Sequence, residues 1–169
     1  PARVVVRWPP PVGPLTRGEP AQLELEARYL FGAPAADLSV EGQLTLRAQS
    51  EIEGYEGYRF GRYDQPFYGQ TEYFYGDVTD AEGRADIFLP LPSQDAAGRA
   101  LSADITMRVL EGSGRPVERR LSHPVAAQTA LIGIKPQFDE DVVPEGGTAR
   151  FELLALASDL SRTQMPVQW

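Results

Sequence analysis

The sequence predicts an all-β protein: one complete antiparallel β-sandwich followed by the opening strands of a second. Three observations predict it. Apolar residues recur with period two, the spacing that sends successive side chains to opposite faces of a strand. Gly and Pro make up 31 of the 169 residues and stand as punctuation between apolar runs, as turns do. A segment near the start recurs later in the chain with the same grammar.

The strands follow in order. Val4, Val6 and Trp8 open the alternation, and Leu23, Leu25, Ala27 and Tyr29 continue it, with Gln22, Glu24, Glu26 and Arg28 facing the other way. Arg17-Gly18-Glu19-Pro20 separates these two runs, and Phe31-Gly32-Ala33-Pro34 ends the second. Gly32 allows a sharp turn and Pro34 fixes φ on its exit. Tyr29 is expected on the inward face beside Leu25. Val40, Leu44 and Leu46 mark the third strand; Ala85, Ile87 and Leu89 a later one, stopped by Pro90 and Pro92, which cannot donate to a ladder. Asp80-Ala81-Glu82-Gly83 reads as a tight hairpin turn with Gly83 at positive φ. Ile105, Met107 and Val109 follow, then the 112–116 turn, then Val117, Leu121 and Val125. Short strands at this spacing, with polar turns between them, argue for a sandwich.

Residues 48–76 break the pattern. They hold Tyr55, Tyr58, Phe60, Tyr63, Phe67, Tyr68, Tyr73, Phe74 and Tyr75, nine of the sixteen aromatics in the chain, interleaved with glycine. A connection of this length inside a compact domain is usually functional. Its 71–78 end has the makings of a strand. Tyr55, Tyr58, Phe60, Tyr63, Phe67 and Tyr68 are therefore the candidate interaction surface.

The repeat sets the organisation. Gly18-Glu19-Pro20-Ala21-Gln22-Leu23-Glu24-Leu25-Glu26-Ala27 matches Gly146-Gly147-Thr148-Ala149-Arg150-Phe151-Glu152-Leu153-Leu154-Ala155, and at the same offset Val4 and Val6 fall on Ile132 and Ile134. The expected division is a sandwich over 1–127 and the N-terminal part of a second over 128–169, joined by a short linker near 126–129. Both chain ends read as cuts inside a longer protein.

Composition excludes several roles. Net charge is −8 and Lys135 is the only lysine, so the clustered cations that nucleic-acid binding needs are absent. No run approaches the ~20 apolar residues of a membrane span, so no direct membrane insertion is expected. With no cysteine there is no disulfide, thiolate metal site or cysteine nucleophile.

No catalytic chemistry is expected. His123 is the only histidine, with no G-x-S-x-G elbow to supply a nucleophile, and reads as an ordinary strand residue. A zinc site would need a second His or a Cys. Asp139-Glu140-Asp141 lacks the spacing of a calcium loop and reads as a solvated acidic turn. Glu51 and Glu53 are the right residue type for sugar hydrolysis, but nothing in the sequence builds a cleft around them. No metal and no cofactor are expected.

Arg28-Tyr29-Leu30-Phe31-Gly32-Ala33-Pro34-Ala35 resembles the Y-x-Y/F-G-x-P segment of macroglobulin domains, the fibronectin-like sandwiches of α2-macroglobulins and complement proteins. Leu38-Ser39-Val40-Glu41-Gly42 fits the strand after that turn, and Thr79-Asp80-Ala81-Glu82-Gly83-Arg84-Ala85 the hairpin before a later one. Gly57-Tyr58-Arg59-Phe60-Gly61 resembles the aromatic insert of bacterial members. Ile132-Gly133-Ile134-Lys135-Pro136 and Val143-Pro144-Glu145-Gly146-Gly147 resemble the start of the next domain.

The resemblance implies a non-enzymatic scaffold piece of a bacterial protease trap. Its partners would be the neighbouring domains of the same chain and, through the full-length protein, target proteases. It also implies a periplasmic or otherwise extracytoplasmic protein, anchored in some relatives as a lipoprotein. Family members use a bait segment and, in many, a thioester between Cys and Gln; that bond cannot lie in this cysteine-free chain. An alternative is a carbohydrate-binding or adhesin-type module that stacks sugars on the Tyr-rich loop.

Overall fold

The computed structural model describes residues 4–112, 116–138 and 142–168, and the regular elements within them are all β-strands. Residues 113–115 of the 112–116 turn, Asp139-Glu140-Asp141 and Trp169 lie outside the described residues. In chain order the strands are β1 (Val4–Arg7), β2 (Ala21–Tyr29), β3 (Ser39–Gln49), β4 (Arg59–Phe60), β5 (Thr71–Tyr75), β6 (Arg84–Leu89), β7 (Ala100–Leu110), β8 (Val117–Val125), β9 (Leu131–Pro136), β10 (Phe151–Leu156) and β11 (Arg162–Thr163).

Two antiparallel sheets make the sandwich. One has the order β1-β2-β6 and the other β5-β3-β7-β8. The residues with inward parity in the sequence form the core between them: Val4, Val6, Leu23, Leu25, Ala27, Ala85, Ile87 and Leu89 from the first sheet, and Val40, Leu44, Leu46, Ile105, Met107 and Val109 from the second. The third strand skips one inward position, at Gly42. Its cross-strand partner is Phe74, and a Cβ on Gly42 would stand 2.4 Å from that ring and 2.5 Å from the Thr106 carbonyl oxygen. The glycine is the slot into which the aromatic ring fits, a device that fixes strand register.

The turn after β2 forms as expected. The Gly32 N–H donates to the Tyr29 carbonyl, the Tyr29 N–H to that of Ala33, and Gly32 has φ 95. Tyr29 is half-buried at the core margin with its ring stacked on Phe31. The Asp80 turn also forms, with Gly83 at φ 78 and the Asp80 carboxylate accepting from the Glu82 and Arg84 amides. It is not a hairpin between two strands of one sheet. It lies on the crossing from β5, in one sheet, to β6, in the other.

The third sheet, β11-β10-β9-β4, carries the second copy of the repeat. The match between β2 and β10 extends into the following turn. Arg28 pairs Pro34 as Leu156 pairs Arg162, and the hydrogen bond from Tyr29 N–H to Ala33 recurs from Ala157 N–H to Ser161. The first strand of the copy is displaced: Ile132 pairs Ala155 as Val6, not Val4, pairs Ala27. The slip is by two residues, so inward and outward faces are preserved. The segment between the units is held at several points. Leu15 bridges Val125, the Ala126 N–H reaches the Leu15 carbonyl, and the Ala127 N–H reaches that of Ser158.

Candidate functional site

The aromatic insert leaves β3 and turns at Gly54 (φ 86), Gly57 (φ 82) and Gly61 (φ 92). Amides of Tyr55, Tyr58 and Phe60 donate to the carbonyls of Ile52, Tyr55 and Ser50. These turns present Tyr55, Tyr58 and Phe60 together to the third sheet. There β4 pairs with β9, Arg59 opposite Ile134 and Phe60 opposite Gly133. The first unit thus donates a strand to the sheet of the second.

Side chains close the joint. A second core of Tyr58, Phe60, Ala100, Ala127, Leu131 and Leu156 is buried here, with Ile52, Tyr55, Leu154 and Leu160 packed on it. Phe60 lies over Gly133, where a Cβ would come within 2.6 Å of its ring. The Tyr58 hydroxyl donates to Glu152 Oε1 at 2.5 Å, and Lys135 Nζ stands 5.4 Å from the Tyr58 ring centroid. That hydrogen bond to a carboxylate, followed by loss of hydration, raises the Tyr58 phenol above its ordinary value. The Tyr55 hydroxyl donates to the Leu160 carbonyl at 3.1 Å, beneath the Arg162 guanidinium. Backbone amides of Glu56 itself and Gly54, with Lys135 nearby, hold the Glu56 carboxyl below its usual range.

The six candidate residues therefore separate. Tyr55, Tyr58 and Phe60 belong to the joint, and the last two are buried rather than available to a ligand. Phe67 packs against the main core. Tyr63 and Tyr68 project into solvent from a stretch pinned by Arg99, which donates to the carbonyls of Arg62 and Gln65. Sequence reasoning missed the other half of the joint: Gly133, Leu154, Leu156 and Leu160. A signal was present. Glu26 and Arg28, outward in the first copy, correspond to Leu154 and Leu156 in the second, so the outer face of that hairpin had turned apolar.

A groove of about 630 Å³ runs along the joint, lined by residues including Glu51, Glu53, Tyr55 and His123. His123 Nε2 is 2.8 Å from the Gly13 carbonyl oxygen, and the Ser122 hydroxyl donates to Asp104. As strand neighbours, Ser122 and His123 point to opposite faces, so they do not form a nucleophile–base pair. Among the described residues, no three His, Asp or Glu side chains gather closely enough to hold a metal ion.

A three-on-four antiparallel sandwich that runs directly into a second copy of its own β-hairpin places the chain among all-β sandwich proteins. The family model described as "Bacterial Alpha-2-macroglobulin MG5 domain" matches residues 3–127. The chain belongs to that family. It is similar to alpha-2-macroglobulin of Escherichia coli K12, 28% identical over 156 residues, and to that of Xylella fastidiosa Temecula1, 31% identical over 144. Each alignment covers 83% of this chain and 9% of the relative, so the chain spans about a tenth of the length of these curated relatives. The structure of Escherichia coli alpha-2-macroglobulin activated by porcine elastase superposes with a TM-score of 0.75 at 27% identity, over 95% of this chain and 14% of that one.

Proposed function

We propose that this segment is a load-transmitting part of a bacterial alpha-2-macroglobulin that traps proteases, and that its role is mechanical rather than chemical. The observation that carries the proposal is the donation of β4 to the sheet of the following unit, sealed by Phe60 over Gly133. Two sandwiches joined by a bare linker would pivot freely, and a displacement at one would dissipate before the next. A shared sheet and a shared core make the pair move as one body, so conformational change is passed on to more distant interfaces. Family membership supports the protease-trapping activity of the whole protein; that the protein works outside the cytoplasm is part of the proposal and rests only on the family resemblance read in the sequence.

The test uses both forms. Incubated with trypsin, the 169-residue chain alone leaves cleavage of a large protein substrate unchanged. The full-length parent shields that substrate, and its Phe60→Ala variant shields less while its own cleavage by trypsin proceeds at the same rate. Stoichiometric protection by the isolated chain, or full shielding by the Phe60→Ala parent, would sink the proposal. A signal sequence on the parent reading frame tests the compartment.

A further inference from the structure

The open edge of the second sheet carries information that the joint does not use. β5 is the last strand in the order β5-β3-β7-β8. The Leu46 N–H donates to Gln70 and the Gly76 N–H to Val40, which sets the hydrogen-bonded pairs of the β3–β5 ladder at 46 with 70 and 40 with 76. Antiparallel pairs alternate, so Thr71, Tyr73 and Tyr75 occupy the non-hydrogen-bonded positions. The 2.8 Å contact between the Thr45 and Thr71 hydroxyls is the close side-chain approach expected there. The N–H and C=O groups of Thr71, Tyr73 and Tyr75 therefore point away from the sheet. β5 is the last strand in its sheet, so register turns these groups away from β3, and among the described residues no turn or loop backbone bond reaches them.

Exposed edges are normally blunted by charge or proline. At the other edge of this sheet, β8 carries Glu118, Arg119, Arg120 and Pro124, and β6 of the facing sheet carries Arg84 and Asp86. The outward-facing side chains of β5 are Thr71, Tyr73 and Tyr75, with the two tyrosines 71% and 79% exposed. Near them lie two carboxylates, Glu41 opposite Tyr75 and Asp77 just beyond the strand, its N–H bonded to the Asp86 carbonyl; Arg108, across from Glu41 on β7, is held by Glu118. Among the described residues the ion pairs involve neither Glu41 nor Asp77.

We infer that β5 is a docking edge for an extended, basic polypeptide segment. The incoming strand would hydrogen-bond to the backbone of Thr71, Tyr73 and Tyr75 by β-augmentation. Its alternate side chains would be Lys or Arg laid over the Tyr73 and Tyr75 rings beside Glu41 and Asp77, where cation–π and Coulomb attraction act together. The intervening side chains would be apolar, set beside Phe74. This surface is separate from the β4–β9 joint and does not depend on the protease-trapping proposal.

The test adds a synthetic peptide alternating lysine and valine to the 169-residue chain and follows amide hydrogen exchange residue by residue. Exchange at Tyr73 and Tyr75 slows by about tenfold or more as these amides gain partners. A peptide alternating glutamate and valine has no effect. Tyr73→Pro removes a donor that β3 does not use, so the ladder is kept, the thermal midpoint holds and binding is lost. Tyr73→Lys keeps the amide but repels the peptide, and loses binding even where the proline variant fails to fold. No slowing at millimolar peptide, or slowing that survives both variants, overturns the proposal. So does a concentration-dependent dimer of the free chain that Tyr73→Lys abolishes, since the occupant would then be a second copy.

Discussion

Phe60→Ala separates the two cores from each other. Phe60 is 3% exposed and belongs to the joint cluster, while the main sandwich core contains no part of it. Truncating a buried phenylalanine destabilises a site by about 3–5 kcal/mol when the surroundings do not collapse. Collapse is restricted here, because Gly133 presents only backbone to the vacated space. The third sheet has little else to hold it: Ile132, Ile134, Phe151 and Leu153, on the other face of β9 and β10, are exposed. A few strands without a covered apolar face are marginal by themselves. The loss therefore falls on the joint, and opening of β9–β10 is promoted by roughly two or more powers of ten, at about 1.4 kcal/mol per tenfold.

Native-state hydrogen exchange reads this directly. Amides of β9 and β10 lose protection in Phe60→Ala, while those of β2, β3 and β7 keep theirs. Gly133→Val supplies a second arm, since its side chain would press on the Phe60 ring. Combined with Phe60→Ala, the valine enters the space the ring has left, and the double variant is less destabilised than the sum of the singles, the mark of direct coupling. Uniform loss of protection through both units would refute the separation into two cores. Strict additivity would refute the ring-over-glycine contact.

Three further outcomes follow. Gly42→Ala forces a Cβ against Phe74 and the Thr106 carbonyl and lowers sandwich stability by about 1–3 kcal/mol in urea unfolding, as overpacking does. Thr79, 2% exposed, receives the Leu38 N–H at 2.9 Å and donates to the Ala35 carbonyl at 2.8 Å; Thr79→Val strands both groups and lowers the unfolding free energy by about 1–3 kcal/mol. The Tyr58 phenol is raised by its hydrogen bond to Glu152, so the contact contributes fully below the unfolded value of about 10 and is lost as pH rises through the higher folded value. Protection of β9–β10 therefore falls at strongly alkaline pH, and Tyr58→Phe removes the part of that fall that tracks tyrosinate absorbance.

Much of the sandwich is legible in period two. From Leu23 to Ala27 and from Ile105 to Val109 each inward residue alternates with a polar one, and sheets with one wet face record their orientation in that way. β4 and β11 are not legible, because two-residue strands are defined by their partners and carry no period of their own. The insert showed its weight in aromatics but not their division between joint and solvent. Tyr58 and Tyr63 are the same residue type in similar glycine-rich settings, yet one is buried and the other fully exposed. What distinguishes them is the sheet that β4 joins, a contact 73 residues further along the chain between Phe60 and Gly133.

The joint is written in the departures of the second copy from the first. Where Gly32 turns the chain at φ 95, Leu160 makes the same turn at φ 67, with the same hydrogen bond to the residue three before it. A leucine held in the left-handed region carries about 1–2 kcal/mol of strain that glycine avoids. Turn geometry alone would therefore favour glycine at 160. The leucine side chain packs on the joint cluster and its carbonyl accepts the Tyr55 hydroxyl. Leu154 and Leu156 replace outward charges in the same copy, and Gly133 leaves the space that Phe60 fills. Each departure is poor chemistry for a solvated hairpin and good chemistry for one that leans on its neighbour. Their coincidence on one face makes the contact between units a property of the folded chain rather than an accident of a short linker.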